Sequence, residues 1–329
     1  MSIKSADEPA GAQPGIAVPP TGVEPVTTPD PVLAGPSASL APPASAAPDA
    51  SSAPDASRRV QPRPWGPDSM SWKRGIAWRT ALASRATLLM QVAHPVVGAG
   101  VADHSEFLKD RWGRITSTAA AARRFSGLDG EQAALDEGAR LRRLHRDIGG
   151  TDAKGRAYHA LDPEAYLWVA ATGYWAGSAI RRLHGAEFDA ATEDQLYREW
   201  TDQARVLRIP ERVIPAGRPE FWTWFDHIVN DVLERNWTTD LLIELDRQPM
   251  PPHPNFRLPK PIWNIPALPM AALLRLTTVG YLPPVLRERL GLTWDYPRAA
   301  RFAAVVAVTD GLDRVLPERI RYPLSARTG

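Results

Sequence analysis

An all-α fold is the class that this sequence predicts, and three observations lead to it. From residue 76 onward, apolar residues recur at intervals of three and four, which places them on one face of a helix. Several of these runs begin at Asp or Pro and end at Arg or Gly, the residues typical of helix starts and ends. No run alternates apolar and polar residues cleanly enough to indicate a strand.

Residues 1–60 differ in composition from the rest of the chain. They contain 12 of the 33 prolines and no aromatic residue, and most of the others are Ala, Ser, Gly and Asp. A segment of this kind cannot bury a hydrophobic core. We therefore expect a disordered Pro/Ala-rich tail at 1–60, followed by a single helical domain at 61–329.

Composition also limits the function. Cysteine is absent, which excludes disulfides, thiolate metal ligands and cysteine nucleophiles, so any metal would be held by His or carboxylates. The first residues lack the apolar run of a secretory signal, and we expect a cytoplasmic protein. The net charge of +2 becomes +5 when the tail, with three basic and six acidic side chains, is left out. Basic residues alternate with acidic ones, so no nucleic-acid partner is expected.

The first helical run covers residues 76–101 and is interrupted by Pro95. Its longest uncharged part has the minimum length of a membrane span but includes a histidine and a proline, so a buried central helix broken near Pro95 is the better prediction. His94 falls on one face with Met90, Val97 and Val101, and we expect it to point into the interior. His104 follows a predicted helix end and is expected to lie in a cap or loop.

The next long helix is predicted to begin at Asp162, as N-cap, with a proline in its first turn. Trp168 and Trp175 lie a heptad apart on this helix, which is predicted to end at Gly185. The preceding segment, 149–162, is predicted to be a loop, and the prolines at 251–269 to form a long irregular connection. Further helices are predicted at 192–207, 219–235, 266–279, 284–290 and 296–313.

The chemistry-bearing residues lie between 114 and 145. His145 is one turn from Leu141 and Ile148, so its imidazole is expected to point inward. Such a histidine is either a core residue satisfied by a carbonyl or carboxylate, or a metal ligand. Arg114 and Thr118 lie four residues apart on one helix face; they are either solvated or form a site in which the guanidinium is buried against an anion.

The sequence contains no GxGxxG, GxxxxGK[ST], GxSxG or HExxH motif. Dinucleotide-binding, P-loop, serine-hydrolase and zincin functions therefore have no motif to support them.

Five segments in this order resemble a known family: LLMQVAHPVVGAGVADHSEF, GRITST, RRLHRDIGG, YHALDPEAYLWVAAT and YLPPVLRERLGLTWD. Together they resemble the MpaB-like oxygenases, the DUF2236 group that includes the rubber oxygenase, or latex clearing protein. The similarity extends over about residues 75–321. Each segment alone is weak, whereas the ordered series is specific.

The resemblance implies a globin-like helical core that binds haem b through a proximal histidine, which falls on His145. The Arg and Thr that the family places near the haem fall on Arg114 and Thr118, as catalytic residues, with Arg114 also contacting the cofactor. His94 is the second candidate for cofactor binding. The implied reaction is O₂-dependent cleavage of carbon–carbon double bonds in an isoprenoid-type substrate, and peripheral membrane contact is also possible for a protein that binds such a molecule.

Two positions depart from the family pattern. Ser117 replaces a lysine that can occupy the distal iron position, and Ala170 replaces a histidine found after the LWV motif in many relatives. An open distal position is therefore expected. Two other functions remain open from the sequence: a helical haem or lipid-binding protein without turnover, and a relative that has lost its haem.

Overall fold

The computed structural model describes residues 62–104, 110–186, 188–255 and 259–323. Twelve α-helices follow one another in this part of the chain, joined by short helical turns and one small hairpin. The helices are α1 (Ser84–Ala93), α2 (Pro95–His104), α3 (Arg111–Phe125), α4 (Glu131–His145), α5 (Pro163–Leu183), α6 (Ala190–Val206), α7 (Arg218–His227), α8 (Trp237–Asp246), α9 (Lys260–Tyr281), α10 (Pro284–Arg289), α11 (Tyr296–Val315) and α12 (Glu318–Arg321). The all-α prediction is confirmed, while the predicted tail at 1–60 lies outside the described residues.

The break between α1 and α2 occurs where Pro95 predicts it. His94 has an extended backbone (φ −69°, ψ 128°) and separates the two helices. The elbow is tied to the start of α8, because Asn236 donates from Nδ2 to the carbonyl of Val92 at 2.8 Å. Gly98 allows this approach, since a Cβ there would lie 2.5 Å from Asn236 Nδ2. The run at 76–101 is thus part of the buried body.

Helix α5 is the central element of the core. Asp162 caps it as predicted, accepting hydrogen bonds from the backbone of Glu164 and Ala165, and Gly185 ends it with a left-handed φ of 58°. The heptad pair Trp168 and Trp175 is buried. Both tryptophans contact Phe225 of α7, with ring centroids 4.9 and 6.3 Å apart. The tryptophan spacing therefore marks the core side of α5.

Two details of the predicted elements are wrong. The segment predicted as a loop contains an antiparallel hairpin, β1 (Gly149–Thr151) and β2 (Ala157–His159), in which Gly150 pairs with Tyr158. Strands of three residues are too short for a recognisable alternation. The proline-rich connection is also shorter than predicted, because α9 begins at Lys260 and includes Pro266 and Pro269.

Candidate functional site

Helices α3 and α4 form an antiparallel hairpin that carries three of the four predicted site residues. The hairpin is fastened near its loop by Glu137, whose side chain is 2% exposed. Glu137 accepts hydrogen bonds from Arg124 at 2.9 Å and from Arg140 at 2.6 Å. The bond from Arg140 is the main reason that the pKa of Glu137 lies below its usual value. Glu137 is therefore a charged anchor at one end of the hairpin.

Arg114 and His145 lie at corresponding levels of this hairpin, at its open end. Arg114 is ten residues before Arg124, and His145 is eight residues after Glu137. At about 1.5 Å of rise per residue, the two positions are about 15 and 12 Å from the ion pair along antiparallel helices. The hairpin therefore carries Arg114 and His145 on two packed helices, at similar distances from the ion pair.

One ring nitrogen of His145 is engaged and the other is available. Nδ1 lies 2.7 Å from the carbonyl oxygen of Leu141, one turn earlier in α4. A carbonyl only accepts, so Nδ1 carries the proton and Nε2 holds a lone pair. No described residue forms a hydrogen bond with Nε2. A backbone carbonyl on the second nitrogen is the arrangement that orients metal-binding histidines.

The imidazole of His145 contacts α5 at Tyr166. The two ring centroids are 5.6 Å apart, in an edge-on arrangement. Tyr166, Val169 and Gly173 are spaced by three and four residues along α5 and so share one face. Val169 is 37% exposed, and a Cβ on Gly173 would have no atom within 4 Å. His145 therefore stands at one end of an open apolar strip on an otherwise buried helix.

More apolar surface lies beside this strip. Leu88 of α1 is exposed, and Gln91, one turn later, donates to Thr172 Oγ1 at 2.9 Å on α5. Ile115 and Leu144 of the hairpin are 44% and 54% exposed and directly adjoin Arg114 and His145 in the chain. Exposed large apolar side chains on helices that pack together are typical of a surface that a hydrophobic ligand covers.

Arg114 and Thr118 are exposed, which corresponds to the solvated arrangement of the two that the sequence left open. Helix α3 has no buried residue among those described. Its main neighbour is α4, and its first turn contacts the segment after α8 through Trp112, which donates to the carbonyl of Pro251. Ser117, the residue that replaces the family lysine, donates to the carbonyl of Arg114. The Arg114 guanidinium is exposed and forms no hydrogen bond or ion pair with a described residue.

His94 is buried in the α1–α2 elbow, as predicted, with a relative exposure of 3%. Neither of its ring nitrogens has a hydrogen-bond partner in the part of the chain that the structure describes. Burial lowers its pKa from 6.5 to about 4, only partly opposed by the charges of Asp162 and Glu234. His94 is therefore neutral at pH 7, with a lone pair on one nitrogen. His104, the last residue of α2, is exposed and lies at a helix end, where it was expected.

One protein family matches most of the helical body. The family described as "ER-bound oxygenase mpaB/B'/Rubber oxygenase, catalytic domain" matches residues 72–310, a range that contains His94, Arg114, Thr118 and His145. The chain belongs to this family. The family is one of oxygenase catalytic domains, which places the protein among oxygenase-type enzymes.

Two relatives are similar over most of the helical body. They are uncharacterized protein Rv2237 of Mycobacterium tuberculosis (strain ATCC 25618 / H37Rv) and uncharacterized protein Mb2261 of Mycobacterium bovis (strain ATCC BAA-935 / AF2122/97). Each is 25% identical over 244 residues, which are 72% of this chain and 90% of the relative. No solved structure matches the chain.

Two features of the site were not read from the sequence. The first is Tyr166, which contacts His145, and the second is the gap over Gly173. The spacing of Tyr166, Val169 and Gly173 was available as a signal, but it does not tell which face of α5 meets α4. No group of three or more potential metal ligands occurs in the described ranges.

Proposed function

We propose that the protein is a haem b-dependent oxygenase that cleaves a carbon–carbon double bond in a hydrophobic, isoprenoid-type substrate. One observation carries this proposal: Nδ1 of His145 is bonded to its own helix while Nε2 is available beside an open apolar strip. Membership of the oxygenase family supports it. Bound haem would supply an iron that binds and activates dioxygen.

The residues present fit haem b in three respects. Nε2 of His145 is the donor, and the bond to Leu141 holds the ring in orientation. The strip of Val169 and Gly173 offers exposed apolar surface with open space above it, against which a porphyrin face would pack. Arg114 lies on α3 at about the same height as His145 on α4, and its guanidinium has no described partner. It could therefore form an ion pair with a haem propionate.

Each side chain has a separate task in this proposal. His145 holds the cofactor, and Arg114 pairs with a carboxylate or with an oxygen atom that develops negative charge. Thr118 lies one turn from Arg114, and its hydroxyl can donate or accept a hydrogen bond on the same side of α3. Leu144 and Ile115 would be covered by the ligand, which excludes water from the reacting atoms.

The experiment is an absorbance spectrum of the purified full-length chain and two variants. Wild-type protein is expected to show a Soret band, and His145→Ala to purify with little or no haem. His227→Ala is the matched control, because His227 is exposed and bonded only to Asp231 on its own helical segment. Full haem content in His145→Ala would contradict the assignment and make His94 the next candidate ligand.

Turnover is measured separately, as oxygen consumption with a set of isoprenoid lipids. Haem-loaded protein that consumes oxygen and yields carbonyl products supports the oxygenase. Haem-loaded protein that binds these lipids without consuming oxygen would instead identify a haem or lipid carrier. Added imidazole should bind the iron and shift the Soret band. Ser117 lacks the amine with which the family lysine can coordinate the distal position, so that position is expected to be open.

A further inference from the structure

The N-terminal half of α9 exposes a large apolar surface, close to the first turn of α3, where the rings of Trp112 and Trp263 lie 6.5 Å apart. Ile262, Ile265, Leu268 and Met270 are between 52% and 73% exposed. We call these four residues the α9 face. Single exposed apolar residues are common on proteins, whereas a contiguous group on one helix indicates an interaction surface.

Neighbouring helix α11 extends this apolar character. It packs against α9, with Phe302 so close to Gly280 that a Cβ on the glycine would lie 2.5 Å from Phe302 Cδ2. Val308, Leu312 and Val315 recur at intervals of four and three and are between 44% and 76% exposed. Two helices in contact thus both leave apolar side chains uncovered.

The charged side chains of α9 itself are all positive. Helix α9 contains no acidic residue, and Lys260 and Arg275 form no ion pair with a described residue. On α11, Arg301 lies seven residues before Val308 and so on the same face, likewise without a described partner. The acids of α11 are already engaged, since Asp310 and Asp313 both pair with Arg79.

We propose that the α9 face binds the surface of an anionic lipid membrane, with its apolar side chains at the boundary between headgroups and acyl chains. Apolar residues combined with unpaired cations are the features of helices that lie in a membrane interface. Trp263 of α9 is half-buried, and its indole donates to the carbonyl of Met250. Tryptophan is the residue type that is enriched at the boundary between lipid headgroups and acyl chains.

The helix lies on the membrane rather than across it. Among the described residues, α9 is the one helix whose length and mean hydropathy of 1.2 would permit a span, and 17% of its apolar window is buried. Its last turn, however, buries Thr277, Thr278, Gly280 and Tyr281 in the protein. Only the N-terminal half is therefore available to lipid.

A second copy of the chain is a poorer occupant for this face. In a two-fold interface the same surface occurs on both partners. Lys260, Arg275 and Arg301 would then approach the same cations of the other copy, with no acidic side chain on α9 to neutralise them. Anionic lipid headgroups supply the missing negative charge.

The test is flotation of the full chain with vesicles of phosphatidylcholine alone and with about one quarter phosphatidylglycerol. Binding is expected to the anionic vesicles and to weaken with salt. The double variant Ile265→Glu/Leu268→Glu should lower the binding constant at least about tenfold. Trp237→Glu is the control, because Trp237 is 58% exposed at the first position of α8 and also exchanges an exposed apolar side chain for a negative charge. Haem content, measured on each sample, should not change, so this test is independent of the proposed function.

Three results would overturn the proposal. The first is unchanged vesicle binding by the α9 double variant with a native melting curve, and the second is no binding of wild-type protein to either vesicle. The third is a wild-type dimer in sedimentation that the double variant converts to a monomer while vesicles bind neither protein. That result would assign the α9 face to contact between copies.

Discussion

Replacing Glu137 with glutamine should loosen the hairpin that carries Arg114 and His145. The Glu137 carboxylate is buried and accepts three hydrogen bonds from Arg124 and Arg140, at 2.9, 2.9 and 2.6 Å. The amide removes the charge, keeps the shape and leaves both guanidinium groups in place. The α3–α4 packing therefore loses its charged anchor without a new cavity.

The size of the effect follows from the three bonds. A hydrogen bond to a charged group contributes about 1.5–3 kcal/mol, and a neutral one about 1 kcal/mol. Each of the three bonds therefore weakens by about 0.5–2 kcal/mol when the charge is removed. Arg124 and Arg140 are 41% and 44% exposed, so water can solvate them after the change. Because water can solvate both guanidinium groups, we expect the total to lie toward the lower end, a loss of about 2–3 kcal/mol in the free energy of unfolding. For a domain of this size that corresponds to a melting temperature lower by about 4–12 °C.

Asp136→Asn is the matched control, since it makes the same change of charge at the next residue. Asp136 is exposed and bonded only to Gln132, so its replacement should alter stability by less than about 0.5 kcal/mol. Thermal unfolding followed by circular dichroism compares the two variants with the wild type. A melting temperature for Glu137→Gln within about 1 °C of the Asp136→Asn value would refute the reasoning.

Acidity provides a second check on the same residue. The folded-state pKa of Glu137 is lowered, so its contribution is complete above its ordinary value of 4.5 and is lost as the pH falls through the folded value. The difference between wild type and Glu137→Gln should therefore be full at pH 7 and shrink below pH 4.5. A difference that stays constant into strong acid would mean that the charge of Glu137 is not what stabilises the hairpin.

Three further predictions concern the site itself. Gly173→Ala should stabilise the protein by about 0.5–1 kcal/mol, because glycine is unfavourable within a helix and no atom lies within 4 Å of an added Cβ. Gly173→Leu should fold equally well but bind less haem. Thermal unfolding measures the stability of both variants, and the Soret absorbance measures their haem content. Arg114→Gln and Thr118→Val should lower haem content or oxygen consumption while leaving the melting temperature within about 2 °C, because both side chains are exposed. In haem-free protein, stability should fall by on the order of 2–4 kcal/mol as the pH drops from 6.5 to 4, since the unfolded state protonates His94 before the folded state does; His94→Met should remove this dependence in denaturant titrations.

Local chemistry in the sequence determined where elements begin, end and break. Asp162 caps α5 because its carboxylate reaches free backbone amides, and Pro95 divides α1 from α2 because it lacks the amide hydrogen that a continuous helix needs. The order of the family segments likewise assigned His145, Arg114 and Thr118 to one functional region. The cap and the break each depend on residues only a few positions apart, whereas the site assignment depends on the order of segments along the whole body.

Tertiary packing decided what each helix face meets. Spacing put Arg114 and Thr118 on one side of α3, but whether that side is buried depends on which helices pack there, and α3 packs mainly on α4. The same limit applies to α9, whose N-terminal half is exposed although it is rich in apolar residues. Helical periodicity tells which residues share a face, because it follows from 3.6 residues per turn. The neighbour of that face, such as Tyr166 at His145, comes from contacts between segments distant in the chain.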